Sequence, residues 1–339
     1  MIGFIYILMG SWVVSASEQE VAPTCSGVNR AFLFVKPNAV TPQAVSLVRE
    51  RLTSFSIAVV NEGVIDAATI DQDMLIDNHY GAIASKAVKL KPHELNVSPE
   101  AAGKFKSAFS EDFEAALAAR KVLNAKEACA RLGLTTQSLG DLWSNAKIVK
   151  FGGGFYCGRI AASNRGSQED EYVYVINGFY MAMRSMYVEP SASIRWMCLE
   201  WPESDLSWEE FRRSVIGSTD PFVAEPSSIR RTLLDDWSAL GLANQPSMKE
   251  NGVHASASSF EALSERMNWL SLKSAKEDPF GEEIIAALRE IHSLEDEAEN
   301  IVEQWRSDPS SKAAKDSGLF DHLEDRGASD CLLQLMKEF

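Results

Sequence analysis

Apolar runs and helical stripes alternate in the first part of the chain. The compact run Ala31 to Val35 predicts a buried strand, and Ile57 to Ile65 predicts a second one. Between them, Thr41 and Pro42 are typical of a helix start, because proline suits the first helical position. The helix that follows would carry four apolar side chains on one face, namely Ala44, Val45, Val48 and Leu52.

A similar pattern returns after residue 190. Ala192 to Trp201 predicts a third strand, and Gly252 to Ser256 predicts a fourth. Helical spacing over Ser207 to Ile216 and over Phe260 to Leu270 predicts one helix before the fourth strand and one after it. This order of elements suits a ferredoxin-like α+β sandwich, in which helices cover an antiparallel sheet.

The segment between these parts, residues 83–180, predicts an inserted subdomain that is mainly helical. Ala125 to Leu132 predicts a helix that Gly133 ends, and another helix is indicated by the spacing of Phe105, Phe109, Phe113, Ala116 and Leu117. Ile148 to Ile160 predicts strands around three consecutive glycines, 152–154. A glycine triplet can cradle phosphate, but this one lacks the lysine and hydroxyl of a P-loop, which favours a hairpin turn.

The last segment, residues 271–339, is acidic and predicts helices. Its apolar residues form a stripe, namely Ile284, Ile285, Leu288, Ile291, Leu294, Ile301, Val302 and Trp305. Two interpretations stay open for this stripe. It packs onto the rest of the chain, or it binds a partner helix.

Composition limits the classes of function. With 339 residues and 45% hydrophobic content, the chain is long enough for two domains with sizeable cores. The 33 basic and 48 acidic residues give a net charge of -15, which argues against a nonspecific nucleic-acid binder. The five cysteines are scattered without a Cys-x-x-Cys pair, so the sequence predicts neither a zinc site nor a disulfide framework.

Residues 1–24 predict a signal or targeting leader followed by a linker. Met1 to Ala16 is mostly apolar, is short for a membrane span and ends in the small residues of Val14-Ser15-Ala16. A signal would direct the protein to the secretory route or to an organelle beyond it. The run has no lysine or arginine at its start, so the alternative is an unstructured or misassigned start, which would leave the protein in the cytoplasm.

Candidate chemistry concentrates around His254. This histidine lies among small residues in Asn251-Gly252-Val253-His254-Ala255-Ser256, where a hydrogen-bonded structural histidine is the simpler interpretation. Upstream, Arg213 and Arg230 flank a loop with glycine, proline and hydroxyl residues. Planar guanidinium groups suit phosphate oxygens, so this span predicts a polyphosphate clamp. Lys36 ends the first predicted strand, where active-site groups are often presented.

These motifs occur in an order that resembles the nucleoside diphosphate kinase family. Lys36-Pro37-Asn38-Ala39-Val40 is similar to the Lys-Pro-Asp-Gly-Val at the end of the family's first strand, and His79-Tyr80 matches a His-Tyr pair. The family series of Arg, Gly-x-Thr-Asn/Asp-Pro and Pro-x-x-Ile-Arg is matched without a gap from Arg213 to Arg230. The His signature falls on Asn251 to Ser256, and a family glutamate falls on Glu265.

The resemblance implies a reaction and a set of roles. His254 would carry a phosphoryl group from a nucleoside triphosphate to a nucleoside diphosphate in a ping-pong cycle, and Glu265 would hold its imidazole in the productive tautomer. The residues around the phosphates and sugar would be Lys36, Tyr80, Arg213, Thr219, Arg230 and Asn251. Mg²⁺ would be held mainly by nucleotide and water, so no protein ligand is assigned to it. Family members also assemble into dimer-based hexamers or tetramers.

The chain also departs from the family pattern. The match covers residues 25–82 and 181–270, split by the inserted segment, and Ala257 stands where the family usually has aspartate. The link from Arg231 to Glu250 is longer than usual. The insertion replaces a hairpin that carries a base-stacking phenylalanine, for which Phe179 and Tyr180 are candidates. A second hypothesis is therefore a nucleotide-binding or scaffold module with little turnover.

Overall fold

A computed structural model describes residues 25–161, 172–292, 294, 297–307, 311–312 and 318–338. The predicted leader lies outside the described residues. The strands are β1 (Val28–Val35), β2 (Ala58–Asp66), β3 (Val122–Asn124), β4 (Lys147–Gly152), β5 (Phe155–Ala161), β6 (Tyr172–Ile176), β7 (Ser193–Pro202) and β8 (Val253–Ala255).

Helices surround these strands. Those of the first half are α1 (Pro42–Ser54), α2 (Ala67–Gln72), α3 (Leu75–His79), α4 (Gly81–Ala84), α5 (Pro99–Phe109), α6 (Phe113–Ala118), α7 (Ala125–Leu132) and α8 (Thr136–Ser144). Those of the second half are α9 (Tyr180–Val188), α10 (Trp208–Glu210), α11 (Ile229–Asp235), α12 (Ser259–Trp269), α13 (Pro279–His292), α14 (Ala298–Arg306), α15 (Leu319–Leu323) and α16 (Ala328–Glu338). None of the helices in the described ranges is long and apolar enough to cross a membrane.

The core sheet has the strand order β2–β7–β1–β8, and all neighbouring strands are antiparallel. Its four strands fall on the four predicted runs. β1 lies inside the sheet and is buried on both faces, which explains its continuous apolar sequence. Leu33 and Val35 pack towards α1 and α11, whereas Phe32 and Phe34 pack towards α3 and α12. The alternation of side chains along one strand therefore builds two cores.

The inserted segment contains a second four-stranded sheet, in the order β3–β6–β5–β4. The strands predicted over Ile148 to Ile160 are β4 and β5, whereas β3 and β6, which pair in parallel, were not predicted. The predicted helix Ala125–Leu132 is α7, and Gly133 ends it with φ of 62°. The glycine triplet lies at the hairpin between β4 and β5, as predicted from its lack of P-loop residues.

The two ends of the inserted segment meet at one buried carboxylate. Tyr180 Oη donates a hydrogen bond of 2.7 Å to Asp77 Oδ1, and Arg184 Nε donates to the same carboxylate at 2.9 Å. Asp77 belongs to α3, before the insertion, and the other two residues belong to α9, after it. This Asp77 clasp closes the base of the inserted domain.

The C-terminal extension packs onto the core through α12. Phe260, Leu263 and Met267 of α12 share one hydrophobic cluster with apolar residues of α13, α14, α15 and α16. The predicted apolar stripe is therefore covered by the chain itself. An ion pair joins the same elements, because Arg266 Nη2 donates to Asp278 Oδ1 at 2.9 Å and both side chains are almost fully buried.

Candidate active site

His254 lies on the edge strand β8, opposite Phe34 in register, and their rings stack with centroids 4.8 Å apart. Gly252 allows the chain to reach this position. It has φ of 82°, and a Cβ atom there would lie 2.5 Å from Leu233 Cδ1. Its carbonyl accepts the Lys36 backbone N–H at 2.8 Å, which brings the end of β1 beside the start of β8. The motif therefore needs its glycine for both conformation and space.

Glu265 holds the His254 ring from α12. Its Oε1 lies 2.5 Å from His254 Nε2, and its Oε2 accepts a hydrogen bond from Ser256 Oγ at 2.6 Å. Ser256 is itself fixed, since its Oγ accepts the Phe32 backbone N–H at 2.9 Å. Because Nε2 is hydrogen-bonded to the carboxylate, Nδ1 is the nitrogen of His254 that can act as a nucleophile.

A second histidine completes this cluster. His79 Nδ1 lies 3.6 Å from Glu265 Oε1, and Trp269 Nε1 donates to the same nitrogen at 3.4 Å. The ligand atoms of His79, His254 and Glu265 all lie within 4.8 Å of one another, close enough to suggest a metal site. Two ligand atoms on one tetrahedral zinc ion would be about 3.3 Å apart, however. The 2.5 Å separation of His254 and Glu265 is that of a hydrogen bond, so we interpret the cluster as a hydrogen-bonded network.

Burial shifts the protonation of the cluster. It lowers the pKa of His254 well below its ordinary value, with Lys36 and Arg230 adding to the effect, so the imidazole is neutral at neutral pH. Burial raises the pKa of Glu265 to about 7. It also lowers the pKa of Lys36 to about 8, with a contribution from the nearby charge of Arg230. Groups with pKa values near 7 suit proton handling at neutral pH.

Polar contacts connect Lys36 with the loop before α11. Lys36 Nζ donates to Asn251 Oδ1 at 2.8 Å, and Asn251 Nδ2 donates to the Thr219 carbonyl at 3.0 Å. Arg230 donates from Nη1 to the Gly217 carbonyl at 2.8 Å and from Nη2 to the Val253 carbonyl at 3.0 Å. Arg230 thereby ties this loop to the strand that carries His254.

Two cavities meet at His254. The arginine cavity, of about 710 Å³, is lined by residues that include Arg212, Arg213, Thr219, Arg230, Asp321 and Glu324. The junction cavity, of about 860 Å³, is lined by residues that include Tyr80, Ile83, Gly154, Glu265, Asn268 and Arg306. Among the residues that the structure describes, only His254, Glu261 and Phe320 line both cavities. The core, the inserted domain and the extension all contribute walls.

Some predicted residues occupy less central positions. Arg213 lines the arginine cavity but is 59% exposed, and its Nε lies 2.9 Å from Glu225 Oε1. Tyr80 lines the junction cavity, and burial raises the pKa of its hydroxyl to about 12. Neither candidate for the base-stacking ring lines the arginine cavity or the junction cavity. Phe179 packs against Trp143 and Tyr156, whereas Tyr180 belongs to the Asp77 clasp.

Ser256, Glu261 and Phe320 lie in the site but had not been assigned to it from the sequence. Ser256 stands inside the His254 motif, and its role follows from its bond to Glu265. Glu261 lies one helical turn before Glu265, and its Oε2 accepts the Ala257 backbone N–H at 2.6 Å. The Glu261 side chain thus contacts Ala257, the residue that stands where the family usually has aspartate. No pattern in the sequence indicated that Phe320, far downstream, lies beside His254.

Comparison with known proteins finds similar structures but no similar sequence. No family model and no curated protein matches the chain. Its structural neighbours include a nucleoside diphosphate kinase from Encephalitozoon cuniculi, with 12% identity and a TM-score of 0.33 over 71% of this chain and 88% of that one. Another is an NDP kinase from Pyrobaculum aerophilum, with 16% identity and a TM-score of 0.32 over 71% and 95%. At such scores, a functional argument has to rest on the site itself.

Proposed function

We propose that the protein is a nucleoside diphosphate kinase that transfers the terminal phosphate of a nucleoside triphosphate to a nucleoside diphosphate through a phosphohistidine at His254. One observation carries the proposal. His254 is a neutral imidazole held through Nε2 by Glu265, and it borders a cavity lined by Arg213, Thr219 and Arg230. A nucleophile beside cationic and hydrogen-bonding groups is what phosphoryl transfer requires. The strand order β2–β7–β1–β8 supports assigning the core to the ferredoxin-like arrangement expected for this family.

The reaction would run in two halves. His254 Nδ1 forms a bond to the terminal phosphorus as the bond from phosphorus to the bridging oxygen breaks, which releases a nucleoside diphosphate. Glu265 accepts the Nε2 proton in its hydrogen bond and stabilises the positive charge of the phosphorylated ring. In the second half, a terminal oxygen of another nucleoside diphosphate attacks the phosphorus and returns neutral His254.

The surrounding residues would position the nucleotide. Arg213, Thr219 and Arg230 line the arginine cavity and would hold the inner phosphates. Lys36, connected to Asn251, would reach the terminal phosphate and ribose, and Tyr80 would donate to the terminal phosphate from the junction cavity. Mg²⁺ bound to the phosphates would neutralise part of their charge. The Glu261 and Asp321 carboxylates line the arginine cavity and offer the oxygen donors that suit its water shell.

The direct test is formation of the phosphoenzyme. Protein incubated with ATP and Mg²⁺ is expected to acquire an acid-labile, base-stable phosphate, and His254→Ala is expected to lose it. His93→Ala, at an exposed histidine of the inserted domain, is the matched control. Persistence of the same phosphate in His254→Ala would refute the assignment of His254.

A nucleotide-binding module with little turnover is the second candidate. The observation that favours it is the pairing of cavity arginines with carboxylates, since Arg212 contacts Glu324 and Asp325 and Arg213 contacts Glu225. A coupled assay of transfer from ATP to GDP separates the two candidates. Nucleotide binding without transfer would favour the module. The expectation of a dimer-based assembly stays a prediction, which a monomer in light scattering would contradict.

A further inference from the structure

Phe320 occupies a distinctive place in the site. Of the described residues that line both cavities, His254 and Glu261 are polar, and Phe320 is apolar. The ring comes from α15, in the C-terminal extension, which lies outside the region of resemblance to known kinases. An apolar ring at the boundary between the two cavities offers water no hydrogen-bond partner.

The position of Phe320 is fixed from both ends of α15. Leu319 and Leu323, one turn apart, are buried in the hydrophobic cluster of the extension, and Phe320 is partly buried against the same cluster. The Phe320 ring packs on Phe260 at the start of α12, with centroids 5.5 Å apart. Beyond α15, the Asp325 backbone N–H donates to the Ala257 carbonyl at 3.0 Å.

A salt bridge adds a second anchor to the same segment. Arg212 Nη1 lies 2.7 Å from Asp325 Oδ1, and Arg212 also pairs with Glu324. The guanidinium belongs to the core and the carboxylates belong to the extension. Phe320 is therefore held next to the strand that carries His254 by contacts with two separate parts of the core.

We propose that Phe320 shields the phosphohistidine at His254 from water and so favours transfer to a nucleotide over hydrolysis. This inference rests on the proposed function. In the side reaction, a water oxygen bonds to phosphorus and the bond between phosphorus and Nδ1 breaks. The nitrogen keeps the electron pair, and the water protons pass to phosphate and solvent, which yields inorganic phosphate and neutral His254. Exclusion of water from a closed site suppresses such hydrolysis.

The test measures the lifetime of the phosphoenzyme without an acceptor. Full-length protein is phosphorylated with ATP and Mg²⁺, freed of nucleotide and sampled for base-stable phosphate. We expect Phe320→Ala to shorten the half-life about tenfold, which corresponds to about 1.4 kcal/mol in the barrier. Phe320→Leu, which keeps an apolar side chain, is expected to stay close to wild type. Transfer to added GDP is expected to change less than hydrolysis in both variants.

The control is Phe222→Ala, at a phenylalanine that is 58% exposed and lines neither cavity. An unchanged half-life in Phe320→Ala would overturn the shielding role while leaving the kinase proposal intact. Equal losses of transfer and lifetime would also overturn it, because they would indicate general damage to the site. Absence of any phosphoenzyme in the wild-type protein would overturn both proposals.

Discussion

The two walls of the arginine cavity differ in charge. The core wall combines three arginines with three carboxylates, namely Arg212, Arg213, Arg230, Glu209, Glu225 and Glu261, whereas the charged residues of the extension wall are Asp321, Glu324 and Asp325. Both walls are held by specific contacts, the first through Gly217 and Val253 and the second through Arg212 and Ala257. The core thus supplies the guanidinium groups that attract an anion, and the extension limits that attraction while enclosing His254.

The largest expected effect comes from detaching the extension wall. Asp278→Asn leaves the Arg266 charge without its buried partner, and the free energy of unfolding is expected to fall by about 3–5 kcal/mol. Urea denaturation measures this loss. Glu299→Ala removes an exposed partner of Lys276 in the same region and is expected to cost much less. Equal losses in the two variants would show that the buried pair does not anchor the extension.

Breaking the core wall should reduce activity. Arg230→Gln removes a cation next to His254, and kcat/KM for transfer from ATP to GDP is expected to fall about 10²–10³-fold. Arg231→Gln is the matched control, because Arg231 is the neighbouring residue and forms an exposed pair with Asp235. Similar values of kcat/KM in the two variants would contradict a role for Arg230 in the reaction.

Titration of Glu265 and Lys36 predicts a bell-shaped dependence of kcat/KM on pH. The pKa of Glu265 is raised to about 7, so the carboxylate takes up a proton below that pH and no longer accepts from His254 Nε2. The pKa of Lys36 is lowered to about 8, so its charge is lost above that pH. On each side, kcat/KM is expected to fall about tenfold per pH unit. Glu265→Gln should flatten the acid limb, and an acid limb unchanged in that variant would contradict this assignment.

The smallest expected effect comes from neutralising the extension wall. Glu324→Gln combined with Asp325→Asn removes two carboxylates and releases Arg212, so KM for the Mg²⁺ complex of ATP is expected to fall about threefold at low salt. The gain should shrink as the salt concentration rises. Glu282→Gln with Glu290→Gln makes the same change of charge at exposed positions of α13 and serves as control.

The strands of the core were largely predictable from the sequence. Phe34 and His254 belong to strands that their apolar patterns identified, and the structure brings His254 within 2.5 Å of Glu265, which the motif had singled out. β3 was missed because it is three residues long and gains its stability from pairing with β6. The place of Phe320 could not be predicted, since it depends on how the extension packs on α12 and on contacts from Arg212.

The Asp77 clasp has a consequence for how such a chain can change over time. Because Tyr180 and Arg184 both bind the Asp77 carboxylate of α3, the chain enters and leaves the inserted domain beside the same buried residue. A change of length in the parts of the inserted domain far from this clasp would therefore leave α3 and α9 joined. The hairpin that carries Gly154 is a different case, because it lines the junction cavity.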